Sequence, residues 1–161
     1  MKFSIRKGVK KDAVSILKLI HELAVFENEP EAVEITVEDL EKDGFGEHPL
    51  FQVLVAEQDE EIVGMALYYN RYSTWKGKTI HLEDLIVKSS MRGKNIGGAL
   101  YESVLKQGYE EKVRRVEWVV LDWNTPARDF YINSGAKILH GWETVQMDSE
   151  GIHKFVKRKK K

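Results

Sequence analysis

Apolar residues recur with two different periods along this chain, and the switches between those periods mark its elements. Phe3 to Arg6 alternates like a short strand. Behind Asp12, the residues Ala13, Ile16, Leu17, Ile20, Leu23 and Ala24 fall at helical spacing, which predicts an amphipathic helix capped by Asp12 and running to about Val25. Glu27 to Glu34 holds Pro30 and several carboxylates and reads as a loop. Thr36 then caps a second, short helix through about Asp43, which Gly44, Gly46 and Pro49 close. Phe51 to Glu57 and Ile62 to Tyr72 are strand-like runs, and Gln58-Asp59-Glu60-Glu61 between them suits an antiparallel hairpin despite the absent glycine.

Lys76-Gly77-Lys78 turns the chain into Thr79 to Val87, an apolar strand expected to be covered on both faces. A helix follows from about Gly97, with Leu100, Val104, Leu105 and Gly108 on its inner side, and Val116 to Leu121 is the next strand. Pro126 suits a first helical turn and opens a short helix through about Asn133, ended by Gly135. Lys137 to Leu139 and Thr144 to Met147 read as terminal strands. This order predicts a mixed α/β sheet with helices on its faces, in a single domain over residues 1–161.

Composition narrows the chemistry. With 42% hydrophobic and 32% charged residues and no membrane-length apolar run, the chain is expected to be folded and soluble, with no membrane partner. Met1 to Arg6 lacks the apolar stretch of a secretory signal, so the cytoplasm is the expected compartment. Without cysteine there is no disulfide, no thiolate zinc site and no Cys nucleophile. His21, His48, His81, His140 and His153 show no paired helical spacing, so no metal site is expected.

Net charge is −1, unevenly spread: Glu22 to Glu60 contains thirteen acidic residues against one basic residue, Lys42. That run is either a solvated face or a means of steering a cationic substrate. The basic segment at about 154–161 (Lys154, Lys157, Arg158, Lys159, Lys160, Lys161) reads as a frayed tail. No nucleic-acid partner is expected, because no reading motif accompanies it.

The segment Leu82-Glu83-Asp84-Leu85-Ile86-Val87 leads into Arg92-Gly93-Lys94-Asn95-Ile96-Gly97-Gly98, placing a buried strand, a glycine-rich loop and a helix start in succession. The loop is neither a Walker sequence nor a dinucleotide fingerprint. Unpartnered amides at a helix start, small residues and Arg92 can receive a pyrophosphate; alternatively the glycines only form a tight turn. Glu83, central in an apolar strand, needs a reason to be there: proton removal from a substrate, or a satisfied ion pair. By strand alternation Glu83 and Asp84 point to opposite faces.

Arg92-x-x-Asn95-x-Gly97 resembles the acyl-CoA pyrophosphate loop of the GNAT acetyltransferases, with Asn95 standing where glycine is usual, at a position Asn can fill in the left-handed conformation. Asp43-Gly44-Phe45-Gly46-Glu47-His48-Pro49, Trp75-x-Gly77-Lys78 with Leu82-Glu83-Asp84, and Asn124-x-Pro126-x-x-x-Phe130-Tyr131 carry the likeness across nearly the whole chain. Within that superfamily the chain is most similar to the diamine acetyltransferases acting on spermidine, spermine and thialysine.

The resemblance implies the GNAT fold, a mostly antiparallel mixed sheet with helices on both faces and a splayed central strand pair, and acetyl-CoA as acetyl donor. Direct attack by a primary amine needs deprotonation, since an ammonium has a pKa near ~10. The resemblance gives that role to Glu83 and protonation of the leaving thiolate to Tyr131, whose Phe130-Tyr131 pair otherwise reads as packing. It also implies that Leu85, Ile86, Val87, Arg92, Gly93, Lys94, Asn95, Ile96, Gly97, Gly98, Asn124, Pro126, Ala127 and Tyr131 contact the cofactor. A backbone amide of Leu85 to Val87 would stabilise the oxyanion. Phe26, Glu27, Trp75, Glu83, Asp84, Glu117, Trp118 and Val119 are implied on the acceptor side, and a homodimer is implied as the assembly. A polyamine, a shorter diamine or thialysine fits as acceptor. A protein or peptide amine acetyltransferase and a non-catalytic acyl-CoA-binding module are the alternatives.

Overall fold

The computed structural model describes residues 2–158, which fall into two compact units, residues 2–119 and 120–158. The first contains β1 (Ser4–Lys7), α1 (Ala13–Phe26), α2 (Val37–Phe45), β2 (Gln52–Gln58), β3 (Glu61–Ser73), β4 (Gly77–Val87), α3 (Ile96–Glu110) and β5 (Val116–Glu117). The second contains α4 (Thr125–Asn133) and α5 (Ser149–Arg158).

In the first unit the strands pair in chain order as a five-stranded sheet. β1 to β4 run antiparallel and β5 runs parallel to β4. The β2–β3 hairpin forms as expected, with Asp59 and Glu60 both left-handed at φ 51° and 64°, the twist that a two-residue hairpin turn requires. Alternation then sorts the sheet into two faces. Val53, Val55, Met65, Leu67 and Ile86 join Ala13, Ile16, Leu19 of α1 and Leu40 of α2 in one buried core. On the other face lies α3: a Cβ at Gly64 would stand 3.3 Å from Leu100, and one at Gly108 would stand 3.7 Å from Ile80. Helices therefore cover both faces of a mixed, mostly antiparallel sheet.

Local chemistry explains most element boundaries. Thr36 caps α2 through a reciprocal box, its hydroxyl accepting from the Asp39 amide at 3.2 Å while the Asp39 carboxylate accepts from the Thr36 amide at 2.9 Å. Asp12 occupies the position before α1, but its carboxylate does not cap the helix. It accepts from the Arg6 guanidinium at 2.7 and 3.1 Å and from the Val9 amide at 2.9 Å, so a buried ion pair has taken the side chain the cap reading required.

Two sequence expectations fail on strands. Val116 to Leu121 supplies only two strand residues, because pairing to β4 stops after Ile80 with Val116 and His81 with Glu117. Neither Lys137 to Leu139 nor Thr144 to Met147 is a strand. Thr144 to Met147 does alternate, but a strand exists only where a neighbour takes its amides, and no ladder forms in either segment among the described residues.

In the second unit, α4 ends as glycine at that position demands. Gly135 has φ 94°, its amide bonds to the Ile132 carbonyl and the Ala136 amide to the Tyr131 carbonyl, both at 3.0 Å. The basic segment expected to fray is helical through Arg158. Asp148 accepts from the Gly151 amide at 2.7 Å, and Glu150 pairs with Lys154 one turn on. Lys159, Lys160 and Lys161 lie outside the described residues.

Candidate active site

The site in the first unit begins with an irregularity in β4. Leu67 pairs with Asp84 and Tyr68 with Leu82, so Glu83 is an extra residue, a β-bulge on the strand. The strict alternation expected for Glu83 and Asp84 breaks there. Asp84 stays in register with Leu67 and Ile86, on the face turned to α1. Glu83 joins that face, since its Oε2 accepts from the Tyr69 hydroxyl at 2.9 Å and lies 3.5 Å from Nε2 of His81. Tyr69 and His81 are a register pair with ring centroids 5.3 Å apart. Glu83 is thus half exposed rather than buried in an apolar strand, with a phenol and an imidazole as its neighbours.

Carboxylates accumulate on this face. Burial, then the charges of Glu83 and Glu27, push Asp84 up from 3.8 to about 6. Glu27, just past the end of α1, is itself raised by partial burial. Tyr69 is raised by burial and by its hydrogen bond to Glu83, so its phenol stays protonated and donates. Glu117 differs from these acids: Arg71 and Arg115 flank it at 3.0 Å each, and its charge is largely met within the protein.

Next to this face lies an open strand edge. Beyond His81 no strand among the described residues pairs with the β5 side of β4. Because the Lys88 amide turns back to the Val63 carbonyl of β3, alternation aims the Val87 and Leu85 amides at the open edge and that of Ile86 at β3. Of the three candidate oxyanion donors, Leu85 and Val87 have the geometry to serve. Ile86 contributes its side chain to the core instead.

The loop after β4 delivers a helix start to the same edge. Gly93 is left-handed at φ 77° and Asn95 at φ 60°, ψ 18°, so Asn does occupy the conformation for which glycine is usual. The amide of Ala99 makes the first bond back, to the Asn95 carbonyl at 3.1 Å. The amides of Ile96, Gly97 and Gly98 belong to the first turn, where the helix offers no acceptor. Gly98 has a separate reason to be glycine: the Asn95 side-chain amide fills the space its Cβ would take. Arg92 lies against this turn, its Nε donating to the Val87 carbonyl at 3.3 Å and its guanidinium 5.1 Å from the centre of the Phe26 ring. The Ser89 amide donates to Glu22 at 2.8 Å, tying the loop to α1.

The structure gathers Phe26, Glu27, Glu83, Asp84, Leu85, Val87, Arg92 and Gly93 to Gly98 around one face and edge. It does not bring all the other candidates there. Trp75 is exposed on the β3–β4 turn, roughly 20 Å of strand from Glu83 at about 3.3 Å per residue. Trp118 packs edge-to-face on Tyr101 of α3, centroids 5.5 Å apart, and Val119 beside it is exposed. Sequence reasoning missed Tyr69, Arg71 and the place of His81 beside Glu83. Counting back from the turn at Ser73 to Gly77 pairs Tyr69 with His81, which was the available signal.

Within the second unit, Asn124 caps α4 by accepting from the Ala127 amide at 3.3 Å, and Pro126 sits in the first turn, where its missing N–H costs nothing. Tyr131 lies on α4 with its ring edge-to-face against Phe130 at 5.4 Å.

A profile of the Acetyltransferase (GNAT) family matches residues 16–135. Thialysine N-epsilon-acetyltransferase of Bos taurus is 38% identical over 94% of this chain and 95% of its own length. Spermidine/spermine N(1)-acetyltransferase-like protein 1 of Homo sapiens is 34% identical over 93% of this chain and 23% of its own. Among solved structures, an integron cassette protein from the mobile metagenome of V. cholerae superposes with a TM-score of 0.80 at 25% identity, covering 98% of this chain and 99% of that one.

Proposed function

Because this chain belongs to the GNAT acetyltransferase family and its relatives are named as amine N-acetyltransferases, we propose that it transfers acetyl from acetyl-CoA to a primary amine of a small cationic acceptor, of the thialysine or diamine kind. The observation that carries the acceptor is the acidic face of Glu27, Glu83 and Asp84, lying beside an open strand edge and a helix start. Burial, and after it the charges of Glu83 and Glu27, lift Asp84, and a bound ammonium relieves the repulsion among them.

In this reading the amides of Ile96, Gly97 and Gly98, with Arg92, receive the pyrophosphate. The pantetheine arm runs along the open edge of β4, and Leu85 or Val87 donates to the oxyanion. Glu83 removes a proton from the acceptor ammonium, directly or through water, and the free amine attacks the thioester. The tetrahedral intermediate expels the CoA thiolate, and Tyr131 supplies its proton. Trp75, distant from Glu83 of its own chain, serves the acceptor site of a second copy in a homodimer.

Thiol release from acetyl-CoA, measured over thialysine, lysine, spermidine, spermine, short diamines and amino-terminal peptides, tests the proposal. The expected ranking places small dications and thialysine above peptides. Peptides outrunning every small amine would select a protein acetyltransferase, and no release with any acceptor would leave only an acyl-CoA-binding module.

A further inference from the structure

We propose that His81 is a positioning residue for Glu83, holding its carboxylate so that one oxygen is committed and the other is left for the acceptor; the inference rests on Glu83 being the base. Two observations meet at one atom, and a third concerns the ring beside it. Oε2 of Glu83 accepts from the Tyr69 hydroxyl at 2.9 Å, and Nε2 of His81 stands 3.5 Å from the same oxygen. The imidazole is nearly buried, with 13% of its side chain accessible, and its Nδ1 has no hydrogen-bond partner.

The position of one proton follows. An ionised carboxylate only accepts, so a lone pair on Nε2 would face it repulsively, whereas an N–H there is attracted. The bulge makes the arrangement possible, because it turns Glu83 onto the face of Tyr69 and His81 instead of the opposite one. The Tyr69 hydroxyl bonded to Oε2, with Nε2 of His81 3.5 Å from the same oxygen, restrains the carboxylate about its last torsion. A carboxyl group on an exposed bulge would otherwise rotate freely, and misplacement of a reacting group by about 1 Å can cost 10²-fold in rate.

The test compares H81F, which keeps a ring against Tyr69 but has no donor, with H81Q, whose amide nitrogen reaches the position of Nε2. Steady-state kinetics with thialysine and acetyl-CoA are read beside acetyl-CoA affinity and melting temperature. H81F is expected to lower kcat by about tenfold or more, with KM for acetyl-CoA unchanged. H81Q should recover at least about half of the wild-type kcat if a donor is what matters. Should H81F not fold, H81N, whose amide is too short to reach Oε2, takes its place in the same comparison. Equal kcat in wild type and H81F, or an equal loss in H81F and H81Q, overturns the proposal. E83Q measured alongside separates the two levels: full activity in E83Q removes the base assignment itself, whereas an inactive E83Q with an unimpaired H81F removes only His81.

Discussion

Replacing Asp84 by Asn should stabilise the protein at neutral pH and do nothing at acid pH, because the fold holds this carboxylate against its own charge. Its carboxyl is raised from 3.8 to about 6 by burial and by the charges of Glu83 and Glu27. Between those values the native state binds the proton and the unfolded state does not, so stability falls as pH rises through the window. Below about pH 4 both states are protonated and the penalty vanishes; above about pH 6 both are ionised and it is complete. Two pKa units at 1.36 kcal/mol each give about 3 kcal/mol, and solvent reaching the half-buried group reduces that to about 2 kcal/mol. Urea unfolding of wild type and D84N at half-unit steps from pH 4 to 8 measures the difference directly. The expected curve rises between pH 4 and 6 and is flat beyond, with D84N the more stable. A difference independent of pH, or D84N less stable at pH 8, would refute the claim that burial and the neighbouring carboxylates disfavour the ionised form of Asp84.

Glu60 is a non-glycine residue at φ 64° in the β2–β3 turn, a conformation that costs roughly 1–2 kcal/mol; E60G should therefore stabilise by about 1 kcal/mol after the extra chain entropy of glycine, raising Tm by about 2–4 °C in a calorimetric scan. Y131F should lower kcat by about a hundredfold while leaving acetyl-CoA affinity, measured by calorimetry, within about twofold; unchanged turnover would remove Tyr131 as the general acid. R6M leaves the buried Asp12 carboxylate without its cation and should cost about 3 kcal/mol by chemical denaturation.

Elements whose pattern and punctuation agree were legible in the sequence. α1 and α3 carry helical spacing, α2 opens at Thr36, α4 opens near Pro126 and ends at Gly135, and the β2–β3 hairpin shows in two apolar runs around four polar residues. The left-handed Asn95 was legible through the resemblance of Arg92 to Gly97 to the GNAT loop, since the glycines alone left a simple tight turn open. What escaped depends on partners distant in the chain. A bulge at Glu83 is invisible to a period count, so the sequence reading set Glu83 and Asp84 on opposite faces when tertiary pairing sets them on one. Asp12 read as a cap because Arg6 could not be seen to claim it. The two C-terminal segments read as strands had apolar residues but no neighbouring strand among the described residues, and the α5 segment was judged by its charge although Ile152, Phe155 and Val156 already fall at helical spacing.

The central claim is that the face bearing Glu83 deprotonates a cationic amine for attack on acetyl-CoA. Its most direct measurement is thiol release with thialysine at pH 8 by wild type and E83Q, with acetyl-CoA affinity determined for both. The account predicts acceptor-dependent release by wild type, a loss of about a hundredfold or more in kcat for E83Q, and equal affinity for acetyl-CoA. Release by E83Q at the wild-type rate, or none by wild type above the rate without acceptor, would contradict it.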